Sequence, residues 1–460
     1  MRQRLVAGID SSTQQTKLVV VDLHTGVLVR SSALPHPDGT ELDPEHWWAA
    51  LHGAGGADPA GVEALSVTAQ QHTTIVLDPE GMPLRPAILW NDVRAAAAAQ
   101  ELRDELGDAA WLDRVGFLPD AAHPVSRLRW LADHEPSLAR RVETVMLPHD
   151  WLTWRILGGE RPATTDRSDA SATGYWSPYS ERYDPELAEL ALGHPVRTPA
   201  VLAPQSIAGT TESGLILAPG CGDNAATHIA LDTRPGDLVI SVGTSTTVSM
   251  RTDEPTRDVT GTVDTMADAR DGFIPIFVML NGARVLSATA RMLGLSLERL
   301  DRLAAEAPSD ADGVLFVPYL DGERNPPAPW ASGSFAGLSR HAMTPATIAR
   351  AVVLGLGCAI ADAADTLARA HGAPARVLLV GGGARARSLR QALADLMGRP
   401  IQWPEHHEHA AFGAAWQAAW SLTGARPEWD PLPVVVSDPA PNRSWVTEVR
   451  ERHRRAPRAY

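Results

Sequence analysis

The clearest pattern in the chain is a pair of short apolar runs separated by a small polar turn, and it occurs twice. The first pair covers residues 5–9 and 16–22, and the second covers residues 238–242 and 246–250. Both turns are rich in serine and threonine. Apolar, β-branched runs of this length around such turns predict antiparallel strands. We therefore expect two lobes of similar design, each beginning with a β-hairpin.

Further apolar runs predict that strands and long helices alternate along the chain. The predicted strands cover residues 27–33, 62–68, 74–77 and 377–380, and the predicted helices cover residues 95–106, 345–371, 388–397 and 410–422. This alternation indicates an α/β fold. The sequence Arg234-Pro235-Gly236 predicts a boundary, so we expect lobes at residues 1–235 and 236–425, followed by an irregular, Pro-rich tail at 426–460.

Composition limits the class of protein. A 460-residue chain that is 44% hydrophobic can bury a large core in two or more domains. The net charge of -14 argues against nucleic acid as a partner, because phosphate backbones need a basic face. The chain contains no run of about 18 apolar residues, so we expect no membrane span. Cys221 and Cys358 are the only cysteines and lie far apart. This argues against a disulfide scaffold and, with no signal-peptide pattern, predicts the cytoplasm.

Residues 219–226 combine an acid and an amide in a loop of small side chains. Small residues let a ligand approach the backbone closely, and Asp223 is the only acid in this loop. We expect Asp223 to take a proton from a substrate hydroxyl. Gly243 and Thr244, in the turn of the second hairpin, would then handle the phosphate that this hydroxyl attacks.

The first hairpin offers another acid, because its leading strand ends at Asp10 and Lys17 follows the polar turn. Backbone amides of the turn could cradle phosphate oxygens while Asp10 holds Mg²⁺ through water. An ordinary hairpin with a solvated aspartate fits the same residues equally well. The sequence has no Walker-type loop here, and no glycine-rich dinucleotide motif follows this strand.

Two polar stretches could contact a sugar. Gln71 and His72 follow the predicted strand at residues 62–68 and offer donors and acceptors for hydroxyl groups, although a lone histidine is more often structural. Residues 164–171 are small and polar, so they could wall a sugar site or form an ordinary surface loop.

Three consecutive glycines follow the predicted strand at residues 377–380. At a strand-to-helix turn, Gly382 and Gly383 let the backbone approach an adenosine and its α-phosphate. Farther along, His406 and His409 have the i,i+3 spacing that suggests a metal site. No third ligand motif accompanies them, so a solvated helix start is the favoured interpretation.

Taken together, these pieces resemble the FGGY carbohydrate kinases over nearly the whole chain. The most specific matches, in the family's order, are Gln70-Gln71-His72, Leu89-Trp90-Asn91-Asp92-Val93-Arg94, Gly222-Asp223-Asn224-Ala225-Ala226, Asp321-Gly322-Glu323-Arg324 and Gly381-Gly382-Gly383-Ala384-Arg385. The resemblance implies two ribonuclease-H-like lobes, of the actin and hexokinase type, with a cleft between them. By position it implies the following roles: Asp223 as general base, Asp10 as the acid near Mg²⁺, Gln71, His72 and Asn224 on a ketose, and Thr13, Lys17, Gly243, Thr244, Gly382 and Gly383 along ATP.

Within the family, the chain is most similar to the members that act on D-xylulose. The resemblance therefore implies ATP-dependent formation of D-xylulose 5-phosphate, with the sugar and ATP as partners and a homodimer as the common family assembly. Ribulose, glycerol or gluconate as acceptor, a catalytically silent sugar-binding regulator and an ATPase switch stay open as alternatives. The chain departs from the family pattern at Ser12, Gln71, Pro124 and Leu354, which bears on the identity of the sugar more than on kinase chemistry.

Overall fold

The computed structural model describes residues 3–326, 328, 330–405 and 408–456. The chain folds into two compact units, and each unit draws on three separate stretches of sequence. The first unit comprises Met1–Thr233, Asp253–Ile274 and Glu408–Pro431, and the second comprises Arg234–Thr252, Pro275–His407 and Leu432–Tyr460. The predicted boundary near Arg234 coincides with one of the points at which the chain changes unit. The assignment of sugar binding to residues 1–235 and of ATP binding to residues 236–425 stays a prediction.

The first unit contains a mixed sheet. Its strands are β1 (Leu5–Ser11), β2 (Gln15–Asp22), β3 (Leu28–Pro35), β4 (Val62–Ala69), β5 (Gly209–Thr210), β6 (Ile216–Leu217) and β7 (Cys221–Gly222). They lie in the order β5-β6-β4-β1-β2-β3, and β7 also pairs with β4. Strand β1 is antiparallel to β2 and parallel to β4, and β7 is parallel to β4. The carboxyl ends of β1, β4 and β7 therefore meet at one edge of the sheet.

The second unit repeats this local design. Its strands are β8 (Leu238–Val242), β9 (Thr246–Met250), β10 (Phe273–Met279), β11 (Val377–Val380), β12 (Ile401–Pro404) and β13 (Val434–Ser437), in the order β10-β9-β8-β11-β12-β13. Strand β8 is antiparallel to β9 and parallel to β11, as β1 is to β2 and β4. The two hairpins predicted from the apolar pattern are thus confirmed, and the structure shows that they take equivalent places in the two sheets.

Helices surround the sheets. In chain order they are α1 (Pro44–Gly53), α2 (Ala96–Leu106), α3 (Asp108–Val115), α4 (Pro124–His134), α5 (Pro136–Ala139), α6 (Pro148–Ile156), α7 (Arg167–Ser171), α8 (Pro185–Leu192), α9 (Asp223–Ala230), α10 (Ala283–Met292), α11 (Leu297–Glu306), α12 (Pro345–His371), α13 (Arg387–Met397), α14 (His409–Thr423) and α15 (Val446–Arg455). Short 3₁₀ turns cover Ala311–Gly313 and Gly382–Arg385. The remaining short strands cover Glu41–Leu42, Ile75–Leu77, Ala87–Ile88, Thr144–Met146, Thr164–Thr165, Trp176–Ser177, Arg182–Tyr183, Ala200–Val201, Asp264–Ala267, Leu315–Val317 and Ser334–Ala336.

Helix α14 packs against the centre of the first sheet without intervening side chains. A Cβ atom added to Gly8 on β1 would lie 1.9 Å from the carbonyl oxygen of Ala411, and one added to Gly413 would lie 1.9 Å from that of Ala226 on α9. Only glycine permits such close approach of two backbones. The buried Gln417 accepts a 2.8 Å hydrogen bond from the Ser66 hydroxyl on β4. A late segment of the chain thereby completes the core beneath the edge where β1 and β4 end.

Helix α12 is the longest helix in the described residues, and its predicted bounds, 345–371, are confirmed. It is long and apolar enough to cross a membrane, since an 18-residue window reaches a mean hydropathy of 1.6. However, 72% of that window is buried inside the protein. Apolar side chains around most of a buried helix are expected when the helix lies in the core of a unit.

The prediction of an irregular tail at residues 426–460 is wrong. Residues Val434–Ser437 form β13, which pairs with β12 in the second sheet, and Val446–Arg455 form α15. Arg450 and Arg454 on α15 each contact both Asp362 and Asp365 on α12. The local composition did not indicate β13 and α15, because contacts with residues far away in the sequence stabilise them: β13 pairs with β12, and α15 forms ion pairs with α12. Cys221 and Cys358 are free and buried.

Candidate active site

Asp223 is the first residue of α9, directly after the carboxyl end of β7. Its Oδ1 accepts hydrogen bonds from the backbone N–H of Asn224 at 2.8 Å and from the Asn224 side-chain amide at 3.1 Å. Burial raises the pKa of Asp223 to about 8, and the negative charges of Asp10 and Asp169 act in the same direction. A carboxylate held in this way has a fixed direction and a high affinity for a proton, as a general base requires.

Asp10 lies near the carboxyl end of β1, where only 5% of its surface is exposed. Its Oδ2 is 3.5 Å from the Lys17 ammonium, which is also 2.8 Å from Glu408. The buried Oδ1 has no hydrogen-bond partner among the described residues. Burial raises the pKa of Asp10 to about 6 although Lys17 opposes the rise. The interpretation of Asp10 as a solvated hairpin aspartate is therefore wrong.

Gln71 and His72 follow the carboxyl end of β4, so they lie at the same edge of the sheet as Asp10 and Asp223. Gln71 Oε1 accepts a 3.0 Å hydrogen bond from the Asn224 amide, and Gln71 Nε2 donates to the Ser168 carbonyl at 3.2 Å. His72 has a left-handed backbone with φ 66°, and its ring Nδ1 is 3.0 Å from the Ala172 carbonyl. The structure thus brings together Gln71, His72 and Asn224, the three residues predicted to bind the sugar. The side-chain amide of Gln71 is hydrogen-bonded to Asn224 and Ser168.

Sequence reasoning missed several residues beside His72. The buried guanidinium of Arg127 donates to the carbonyl of His72 and to that of Leu89, which fixes the unusual backbone at His72. The ring of His123 lies edge-on to the His72 ring, with centroids 5.0 Å apart, and its Nε2 is 3.9 Å from Asp264. The signal available was the His-Pro pair at residues 123–124, which departs from the family pattern.

Residues 164–171, which could have been a surface loop, are partly helical and mostly buried. Residues Arg167–Ser171 form α7, and every one of them is buried. Asp169 on α7 accepts a 2.5 Å hydrogen bond from Nδ1 of the buried His149, whose Nε2 is 3.3 Å from Asp150. The surface-loop alternative is therefore wrong, because an ion pair in the interior anchors this segment.

The buried His149 makes stability depend on pH. Burial alone would lower the pKa of His149, but Asp150 and Asp169 outweigh it and raise it to about 10. The unfolded value is about 6.5, so the stabilisation is complete below that pH and is lost as the pH rises to about 10. We expect the free energy of unfolding to fall from pH 7 to pH 10 by up to about 1.4 kcal/mol per pH unit, which lowers the unfolding temperature. Thermal unfolding of His149→Gln should show a flatter dependence. Equal slopes in the two proteins would contradict this prediction.

The second unit brings together another set of predicted residues. The turn Gly243-Thr244-Ser245 follows β8, and the three glycines at 381–383 follow its parallel neighbour β11. A Cβ atom on Gly383 would lie 2.4 Å from the Val242 side chain, so the glycine turn rests directly on the end of β8. Gly382 and Gly383 also line a cavity of about 540 Å³ together with Leu286, Leu297, Asp301, Val353 and Ser388. Its size and mixed lining suit a nucleoside.

Thr13 and Lys17 lie in the first unit. The Thr13 hydroxyl accepts a 2.8 Å hydrogen bond from the Trp90 indole and is 3.3 Å from Gln70 Oε1, so Trp90 holds it in place. Lys17 is occupied by two carboxylates, as described above. Lys17 therefore belongs to the group around Asp10, whereas Thr13 contacts Trp90 and Gln70. The contacts of Thr13 and Lys17 with ATP stay a prediction, as do those of Gly243 and Thr244.

Gly382 offers a test of nucleotide approach. A Cβ atom added there would meet no atom within 4 Å, and its backbone is not left-handed, so Gly382→Ala should fold normally. If a nucleotide lies against this backbone, the added methyl group displaces it, and we expect KM for ATP to rise about tenfold or more. The KM for the sugar should stay unchanged in the same steady-state assay. An unchanged KM for ATP would remove Gly382 from the binding site.

The prediction for residues 405–409 can be followed only in part. The predicted pairing of His406 with His409 lies outside the described residues, because His406 is not among them. Helix α14 does begin at His409, as expected for a helix start, but His409 is buried rather than solvated.

Most of the chain is similar to known proteins. Residues 5–230 match the N-terminal domain of the FGGY family of carbohydrate kinases, and residues 238–422 match its C-terminal domain. A xylulose kinase of Streptomyces coelicolor is 44% identical over 438 residues, which is 91% of this chain and 88% of that protein. A xylulose kinase of Streptomyces rubiginosus is 42% identical over 444 residues, which is 92% of this chain and 89% of that protein.

Solved structures give the same result. The crystal structure of xylulose kinase from Bifidobacterium adolescentis superimposes with a TM-score of 0.87 at 35% identity, covering 99% of this chain and 100% of that one. A kinase from Brucella ovis gives a TM-score of 0.89 at 29% identity, with 98% coverage of both chains. The predicted α/β fold with two lobes of the actin and hexokinase type is confirmed. With both halves matched in order and the whole fold shared, the chain belongs to the FGGY family of carbohydrate kinases.

Proposed function

We propose that this chain transfers a phosphoryl group from ATP to D-xylulose and releases D-xylulose 5-phosphate. The observation that carries the proposal is 44% identity over nearly the full length to a xylulose kinase, combined with an acid placed as a base at Asp223. Phosphoryl transfer depends on placement and charge neutralisation more than on covalent chemistry. The edge of the first sheet where Asp10, Gln71 and Asp223 meet has the groups that such a reaction needs.

Asp223 accepts the proton of the C5 hydroxyl as that oxygen attacks the γ-phosphorus of ATP. The bond from this phosphorus to the β-phosphate oxygen breaks, and ADP leaves. Asn224 holds the carboxylate through two hydrogen bonds to Oδ1, so the base cannot rotate away from the hydroxyl. His72, with its backbone fixed by Arg127, is oriented to bind other hydroxyls of the sugar. Gln71 fixes the Asn224 amide and, in this arrangement, contributes to the sugar site through Asn224.

Asp10 fits a role near Mg²⁺. Carboxylate oxygens are the preferred ligands of this ion, and the Asp10 Oδ1 is buried with no partner among the described residues. When bound, Mg²⁺ neutralises charge on the transferring phosphoryl group. In the second unit, the glycine turn beside the 540 Å³ cavity fits a nucleoside, because Gly382 lines that cavity and has open space where a side chain would lie.

Asp10→Asn tests this assignment. Removing the charge should lower kcat by roughly 10²–10³-fold and abolish saturation by Mg²⁺. The measurement is kcat for D-xylulose over a range of Mg²⁺ concentrations. Asp38→Asn, which removes an exposed aspartate from the same unit, is the control and should behave like the wild type. An Asp10→Asn enzyme with normal rate and normal Mg²⁺ dependence would exclude Asp10 from the metal site.

A panel of acceptors tests the function itself. ADP release is measured with D-xylulose, D-ribulose, glycerol and gluconate, and the product is identified by mass spectrometry and phosphorus NMR. We expect the highest kcat/KM with D-xylulose and phosphate at C5. Glycerol is included because a glycerol kinase of Trichlorobacter lovleyi is 31% identical over 451 residues. A higher kcat/KM with another acceptor, ATP hydrolysis indifferent to every sugar, or no turnover at all would each refute the proposal.

We also propose that the protein acts in the cytoplasm, where ATP and phosphorylated sugars are retained, and that it forms a homodimer. Light scattering at assay concentration gives the mass that tests the dimer.

A further inference from the structure

An ion pair lies buried behind the sugar end of the candidate active site. His149 and Asp169 are both 0% exposed, and their side chains are joined by the 2.5 Å hydrogen bond between Nδ1 and Oδ2. Asp150, which is 1% exposed, lies 3.3 Å from the other ring nitrogen. Charged groups in the interior are costly unless they are paired. Two carboxylates on opposite sides of one imidazole therefore favour its doubly protonated, cationic form.

Helix α7 connects this ion pair to the predicted catalytic residues. Asp166 caps the helix by accepting hydrogen bonds from the backbone of Ser168 and Asp169. The Ser168 hydroxyl accepts a 3.0 Å hydrogen bond from the Gly222 N–H, and its carbonyl accepts one from the Gln71 amide. Asp169 on α7 thus contacts His149, and the preceding residue, Ser168, contacts the loop that leads to Asp223.

The chain of hydrogen bonds continues to the base. Gln71 Oε1 accepts from the Asn224 amide, which donates in turn to Asp223 Oδ1. The His149 ring also touches this loop directly, because a Cβ atom on Gly220 would lie 2.4 Å from its Cδ2. Gly220 has φ +84°, so glycine is required there for its conformation as well as for space. The loop at residues 220–224 is therefore in contact with Ser168 of α7 at Gly222 and with the His149 ring at Gly220.

We infer that the His149–Asp169 ion pair is a positioning pair, which holds α7 against the loop at residues 220–224 and so fixes Asn224 and Asp223 for the sugar. This inference rests on the proposed function. The side chains of His149 and Asp169 are fully buried, so they act through Ser168, Gln71 and Asn224. A bound metal is a poorer explanation of the cluster, because Asp150 and Asp169 lie at different ring nitrogens of His149 and one ion cannot bind both nitrogens of the same ring.

The test compares His149→Gln, Asp169→Asn and the double variant in the full-length enzyme. Each single variant leaves one buried charge without its partner and loosens α7. We expect kcat/KM for D-xylulose to fall by about 10–100-fold in each, chiefly through KM for the sugar, with KM for ATP within about twofold of the wild type. The double variant should lose no more than the worse single variant, because two side chains that act as a unit are not additive.

His36→Gln is the matched control. It removes another buried imidazole of the first unit, whose ring nitrogen contacts only the Thr16 hydroxyl among the described contacts and whose pKa burial lowers to about 4. We expect unchanged sugar kinetics. If His149→Gln does not fold, Ser168→Ala replaces it. This change removes the hydroxyl that accepts from the Gly222 N–H and that also bonds to Asp166, and it should still raise KM for the sugar.

Three results would overturn the inference. The first is a folded single variant, or Ser168→Ala, with KM and kcat for D-xylulose within twofold of the wild type. The second is an equal rise in both KM values, which indicates general loosening of the protein. The third is one equivalent of a transition metal in the purified wild type, measured by elemental analysis and lost in His149→Gln. Failure of the proposed function is separate, because the wild type itself would then not phosphorylate D-xylulose; the variants are then compared on the acceptor that the panel identifies.

Discussion

Replacing Asp223 by asparagine is expected to lower kcat for D-xylulose by about 10²–10⁴-fold, which is the usual contribution of a general base. Asparagine keeps the shape of the side chain and can still accept hydrogen bonds from Asn224 through its oxygen, so the loop should keep its structure. The sugar should therefore still bind, with an affinity measured by calorimetry close to that of the wild type. The predicted pattern is a protein that binds sugar and does not turn it over.

Asp133→Asn is the control for this variant, because it removes an exposed aspartate of the same unit from helix α4. Near wild-type turnover in Asp223→Asn would show that another group takes the proton. The pH profile adds a second check, since only the ionised carboxylate can act as a base. Activity of the wild type should fall as the pH drops below the pKa of Asp223, which is about 8 in the protein without ligands. A cation bound at Asp10 lowers the pKa of Asp223, because its positive charge attracts the Asp223 carboxylate and offsets the repulsion from Asp10.

Gly8→Ala is expected to have the largest effect on stability. The added methyl group would lie 1.9 Å from the Ala411 carbonyl oxygen and 2.4 Å from the Ala415 nitrogen. Both are backbone atoms of α14, so no side-chain rotation can relieve the collision, and the helix must move away from β1. We expect a loss of about 3 kcal/mol, seen as a lower midpoint of thermal unfolding.

Gly39→Ala is a suitable control, since a Cβ atom there would come no closer than 3.3 Å to its neighbours and the residue lies on the surface. A thermal midpoint for Gly8→Ala equal to that of the wild type would show that α14 is not held against β1 in solution. Because Asp10 lies two residues beyond Gly8 on the same strand, kcat should fall together with stability.

Much of this arrangement follows from local sequence. The apolar run at residues 5–9 predicts a strand that ends at Asp10, and the structure has β1 there. The 27-residue apolar pattern of α12, which begins with a proline at its first position, gives both of its ends. The glycines after residue 380 predict a turn between strand and helix, and a short 3₁₀ turn occurs there. In each case the residues that carry the signal are neighbours in the chain.

The missed features depend on residues that are far apart in sequence. Gln71 reaches Ser168, 97 residues away, and nothing near Gln71 announces this partner. Helix α7 has five residues, too few for apolar periodicity to be visible, and its polar composition resembles a loop until the contact of Asp169 with His149 is known. The prediction of an irregular tail at residues 426–460 is wrong for the same reason, because β13 is stabilised by its pairing with the distant strand β12.

Helix α14 also constrains the order in which the protein can be made. The helix covers the centre of the first sheet, yet its residues, 409–423, leave the ribosome after most of the second unit has been synthesised. Until then, the apolar face of β1 and β4 that α14 covers has no partner from its own chain. Nascent chains of this protein should therefore need chaperone protection for most of their synthesis, because exposed apolar sheet surface promotes aggregation. Residues 1–233 produced alone should aggregate, and adding a peptide that spans residues 408–431 should restore their solubility.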